Sequence, residues 1–116
     1  MEIQVHTDHH VAGDQELSSF VTSEVVTGLG PCAARVMSVH VHLTEESGAR
    51  KGPPDLRCLV EARPSGHAPL AVTHRASTKD AAVRGAVSDM RAVLERMFRR
   101  LDTGHAGAES IRRRTG

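Results

Sequence analysis

Between positions 79 and 100 the chain carries Lys79, Arg84, Arg91, Arg96, Arg99 and Arg100. A planar guanidinium grips phosphate through two parallel N–H donors, so a series of arginines suits a protein that holds a polyanion by its backbone. Arg57, Arg63 and Arg75 add three cations upstream. Asp80, Asp89 and Glu95 interrupt the series, and the same pattern arises on any solvated helix with i to i+4 pairs such as Arg91 with Glu95. Platforms that stack bases use aromatic rings, and this chain has two Phe and no Trp or Tyr. Recognition of RNA by shape and phosphate contact, with a marked salt dependence, is the mode these residues allow.

Eight histidines raise the question of a metal, either at His6 with His9 and His10 or at His40 with His42, two apart on one strand. A structural zinc asks for four convergent ligands, and neither an HExxH nor a paired CxxC spacing occurs, so no metal site and no cofactor are expected. Cys58, His74 and Glu61 can be drawn as nucleophile, base and orienter. Alternation along a strand turns Glu61 away from Cys58, however, and there is no Gly-rich phosphate loop or nucleophile elbow. The expectation is a protein that is not an enzyme and has no small-molecule substrate. His74 falls on the apolar side of its strand, where a hydrogen-bonded structural histidine is expected.

The elements that must carry these residues are legible from periodicity. Ile3 and Val5 alternate with Gln4 and His6 in a first strand that ends near Asp8. Gly13 and Asp14 offer a helix start, Leu17, Phe20, Val21, Val25 and Leu29 follow at helical spacing, and Gly28, Gly30 and Pro31 stop it. Residues 35–44 form the clearest strand, with Val39, Val41 and Leu43 facing one way and Ser38, His40 and His42 the other. Residues 45–55, with Gly48, Gly52, Pro53 and Pro54, read as a loop and as the most mobile part of the domain. Residues 56–63 and 69–76 form a hairpin about Pro64, Ser65 and Gly66. Ser77 or Thr78 then caps a second helix whose stripe is Val83, Val87, Met90, Leu94, Met97 and Leu101.

The expected fold is therefore α+β, in the order β-α-β-β-β-α. Two helices pack on one face of a four-stranded, mainly antiparallel sheet, and the first connection, through a helix, can pair its strands in parallel. Residues 1–103 are expected to form one α/β domain and 104–116, ending in Arg112, Arg113 and Arg114, a disordered basic tail.

Composition limits the function classes. No run of about 18 apolar residues exists to span a membrane, and Met1 to Gln4 lacks the start of a signal peptide, so the expected location is the cytoplasm. Cys32 and Cys58 fit free, buried thiols in a reducing compartment. The net charge of +1 hides an asymmetry. Residues 1–50 carry two basic against seven acidic side chains, and residues 51–116 carry thirteen against seven, which suits a surface with one face for polyanions.

Five stretches of the sequence, in order, resemble the hibernation promoting factor and ribosome-associated inhibitor A family, also called the sigma-54 modulation protein family, in its short single-domain form. They are Ile3 to His9, Val39 to Leu43, Asp55 to Arg63, Pro69 to His74, and Ala76 to Val83. The resemblance covers residues 1 to about 101. It implies a ribosome-associated stress factor whose partner is the small ribosomal subunit, which binds rRNA near the decoding centre and blocks translation by occupancy. Together with that resemblance, the outward placement of Lys79, Arg84, Arg91, Arg96, Arg99 and Arg100 makes them the expected RNA contact, with Arg57, Arg63 and Arg75 as the sheet's share. The chain departs from the family in its first helix, which presents Ser18, Ser19, Thr22, Ser23, Glu24 and Thr27 where basic residues are usual. In the second helix, residues 89–94 replace a more basic run. The alternative is a general RNA-binding or protein-interaction module on the same fold.

Overall fold

Alternating branched apolar residues build the sheet, and two amphipathic helices cover one side of it. The computed structural model describes residues 1–8, 11, 13–46 and 55–115, with side chains as far as Thr103. The order is β1 (Glu2–Thr7), α1 (Gln15–Leu29), a 3-10 helix (Gly30–Arg35), β2 (Val36–Glu46), β3 (Asp55–Pro64), β4 (Leu70–Ala76) and α2 (Lys79–Thr115). The sheet runs β1-β2-β3-β4, with β1 parallel to β2 and the other pairs antiparallel. This is the expected α+β plan, with the parallel pair where the helical crossover falls.

The register aligns the apolar residues in rows. Ile3, Val39, Ala62 and Leu70 form one row, and Val5, Val41, Val60 and Val72 the next. Val39, Val41, Leu43, Cys58 and Val60 are buried beneath the helices, where removing a branched side chain from water is worth about 1.5 to 3 kcal/mol. From α1 come Leu17, Val21, Val25 and Leu29, and from α2 Val83, Val87, Met90, Leu94, Met97 and Phe98.

The helices start and stop for local reasons. Asp14 caps α1, its Oδ1 accepting from the Leu17 N–H at 2.8 Å. Gly30, at φ 55°, ends it in a conformation that a side chain would strain. Thr78 opens α2, its Oγ1 accepting from the Ala81 N–H at 3.1 Å. A Cβ on Gly28 would run into Val87, so this glycine sets how closely α1 and α2 approach.

Three expectations change. Residues Glu45, Glu46 and Asp55, read as loop, belong to β2 and β3, because the pairing continues to Glu46 opposite Asp55. The 3-10 helix interposed before β2 was not expected, and Cys32 on it is buried against the helices. Leu101, counted in the α2 stripe, is 45% exposed, while Phe98 takes the covered position at 7%. Residues 47–54, the centre of the expected mobile loop, and His9 and His10 lie outside the described residues. The helix continues past Asp102, and the side chains of the expected tail, 104–116, are likewise outside them.

Candidate nucleic-acid interface

With helices on one face only, the other face of the sheet is open, and strand alternation decides what it shows. Ser38, His40, His42 and Thr44 of β2 stand between Glu2, Gln4 and His6 of β1 and Arg57, Leu59, Glu61 and Arg63 of β3, with Ala71, Thr73 and Arg75 on β4 beyond. Arg57, Arg63 and Arg75 share this face, as their positions in sequence imply. Two of the three are already matched by a carboxylate: Glu46 lies 3.7 Å from Arg57 and 3.4 Å from Arg75. Arg63 has no carboxylate partner among the described residues, and it borders a shallow concavity of about 360 Å³ with Glu2, His40, Glu61 and Pro69.

The other six cations lie on α2, whose outward side points away from the sheet. The nine residues therefore fall into two groups on opposite faces of the molecule. Within the helical group, Arg84 reaches across to Glu24 of α1 at 3.3 Å, and Arg91 pairs with Glu95 at 3.7 Å. Arg96, Arg99 and Arg100 are exposed, and none has a carboxylate partner among the described residues. Exposed ion pairs are weak, about 0 to 1 kcal/mol, but a guanidinium already facing a carboxylate is a poorer phosphate ligand than a bare one. On the described part of α2, Arg96, Arg99 and Arg100 are thus the guanidinium groups left without a carboxylate, whereas Arg84 and Arg91 are paired. The exposed positions of α1, among them Glu16, Ser18, Ser19, Thr22, Ser23, Val26 and Thr27, bring no positive charge.

Arg35, which spacing did not single out, closes this end of the molecule. Its guanidinium lies 4.0 Å from the centre of the Phe98 ring and 3.3 Å from Asp102, tying the 3-10 helix to α2. Nothing in the periodicity of a six-residue 3-10 helix announces such a contact.

The histidines divide in an unexpected way. His6 stacks with His42 at 4.6 Å and with His40 at 5.5 Å between ring centres, because the parallel register sets His6 directly beside His42. The sequence grouped His6 with His9 and His10 instead. Glu61, opposite His40 in register, brings Oε1 to 2.9 Å from His42 Nε2. That distance makes an ion pair when the ring is protonated, but the angle is out of line for a hydrogen bond, and Nε2 is shut off from solvent.

On the covered face, Cys58 and His74 are register partners while Glu61 stands on the open side, so the three do not converge. Burial pushes the Cys58 thiol up to about 12, which makes it a poor nucleophile at neutral pH. His74 turns instead to Asp89 on α2, Nδ1 to Oδ2 3.2 Å, the structural role its position implied. No helix among the described residues is long and apolar enough to cross a membrane.

The architecture is that of an α+β domain with two helices on one face of a four-stranded sheet and the other face open. No family model and no curated protein matches the sequence. Solved structures do match. A ribosomal subunit interface protein from Coxiella burnetii superposes with a TM-score of 0.67 at 12% identity, over 84% of this chain and 97% of that one. The Protein Y N-terminal domain of Thermus thermophilus superposes with a TM-score of 0.66 at 14% identity, over 84% and 99%. The likeness is one of fold.

Proposed function

We propose that this chain is a ribosome-associated hibernation factor of the hibernation promoting factor and ribosome-associated inhibitor type. It binds the rRNA of the small subunit near the decoding centre and obstructs translation by occupancy, with no chemistry of its own. The observation that carries the reading is the shared fold. This chain matches nearly the whole length of a protein named for the ribosomal subunit interface, and the sequence resemblance follows the same order of elements. Arg96, Arg99 and Arg100, exposed and unmatched, support a phosphate contact through α2, and the two Phe of the chain lie on the helices, which leaves the sheet with imidazoles as its only aromatic rings among the described residues. Cytoplasmic location and a domain ending near residue 103 belong to the same proposal.

Co-sedimentation with purified small subunits at low and high salt tests it. Binding at low salt that weakens steeply as salt rises is expected, because phosphate contacts release counterions. Failure to co-sediment at low salt overturns the reading. Equal binding to any structured RNA would favour the general RNA-binding module instead.

A further inference from the structure

We propose that His6, His40 and His42 form a binding site for a divalent transition-metal cation of the zinc class on the open face of the sheet. Their nearest ligand atoms all lie within 4.8 Å of one another, the one such group of three potential ligands among the described residues. Three imidazole nitrogens about 2.0 to 2.1 Å from a tetrahedral zinc stand about 3.3 Å apart, so closing the site takes rotation of the rings out of their near-parallel stack, on side chains that face solvent or are half-buried. β1 and β2 are hydrogen-bonded in a fixed register that sets His6 beside His42, and strand alternation puts His40 on the same face two residues earlier.

Two features point to a ligand rather than to chance clustering. His42 Nε2 is closed off from water without a hydrogen-bond partner, although buried polar atoms are rarely left unsatisfied. Glu61 lies beside it, with Oε1 2.9 Å from the same nitrogen, where a carboxylate offsets the charge of a dication. Three nitrogens leave the fourth position of a tetrahedral ion to water. Imidazole donors select zinc, copper or nickel over magnesium and calcium, which prefer oxygen. The site stands on its own geometry and is independent of the ribosome reading, since the unmatched arginines of α2 lie on the opposite side.

The test is calorimetric titration of the whole chain with Zn2+ alone, together with thermal melts with and without the ion. One Zn2+ per chain and a raised melting temperature are expected. His40→Gln and His42→Gln should each weaken binding by at least about tenfold and abolish the thermal shift, and Glu61→Gln should weaken binding by about tenfold. Circular dichroism of each variant checks that it remains folded. The variant His9→Gln/His10→Gln should bind as the unaltered chain does. Absence of Zn2+ binding by the unaltered chain overturns the proposal. So does binding that survives His40→Gln and His42→Gln, or that is lost only with His9 and His10.

Discussion

His74 of β4 reaches Asp89 of α2, Nδ1 to Oδ2 3.2 Å, through a gap that Gly85 leaves open. A Cβ at position 85 would run into the imidazole ring. Gly85→Ala should therefore destabilise the chain by up to about 2 kcal/mol, an overpacking cost of about 1 to 3 kcal/mol less the roughly 1 kcal/mol by which alanine favours a helix over glycine. In a His74→Ala background the same change should become neutral or stabilising. Urea denaturation of the two single variants and the double variant reads the sign reversal directly.

Cys58 makes stability depend on alkaline pH. Burial raises its thiol from the ordinary value of 9.0 to about 12, so the folded chain holds the proton more tightly than the unfolded chain does. Its contribution is whole below pH 9.0 and is lost as pH rises toward 12, by at most about 1.4 kcal/mol per pH unit. Cys32, raised chiefly by burial and less strongly, acts in the same direction. Denaturant melts on either side of pH 9.0 should show this loss in the unaltered chain and a flatter profile in Cys58→Ala.

Charge reversal separates the two groups of arginines. Arg96→Glu/Arg100→Glu should weaken binding to small subunits and reduce the salt slope by about one for each phosphate that is no longer neutralised. Arg57→Glu should cost less, because Glu46 already faces Arg57 at 3.7 Å. Sedimentation across a salt series measures both. Unchanged affinity in the helix variant would move the contact to the sheet.

Phe98 and Leu101 should differ sharply although both end the same helical stripe. Phe98 is 7% exposed and lies under the Arg35 guanidinium, so Phe98→Ala should cost about 3 kcal/mol or more. Leu101, 45% exposed, should tolerate alanine within about 0.5 kcal/mol. Thermal or urea denaturation of the two variants makes the comparison.

The contrast at Phe98 and Leu101 shows how far sequence reaches here. Stepping by four and three from Val83 follows the α2 stripe accurately to Met97, where α1 and the sheet set what is covered. Beyond it the covering element is the 3-10 helix, whose irregular sequence has no period to read, so the choice between the two residues was hidden. The strands were legible because Val39, Val41 and Leu43 alternate cleanly with polar neighbours. The arginines were legible as a set, but their division between opposite faces, and the Glu46 and Glu24 partners that occupy four of the nine with Glu95, depend on contacts distant in sequence. The grouping of His6 with His40 and His42 depends on register, which alternation alone leaves open by any even number of residues.

The parallel pairing of β1 with β2 carries a kinetic consequence. β2, β3 and β4 pair with their neighbours in the chain, whereas Glu2 must find Ser38 after the whole of α1 has formed between them. Contacts that close long loops are made late, because the entropy of closure is spent before the contacts repay it. The amino-terminal strand is therefore expected to dock after the meander of β2, β3 and β4, and hydrogen exchange during refolding, with the β1 amides protected later than those of β3, checks it. The three imidazoles meet only at that final step.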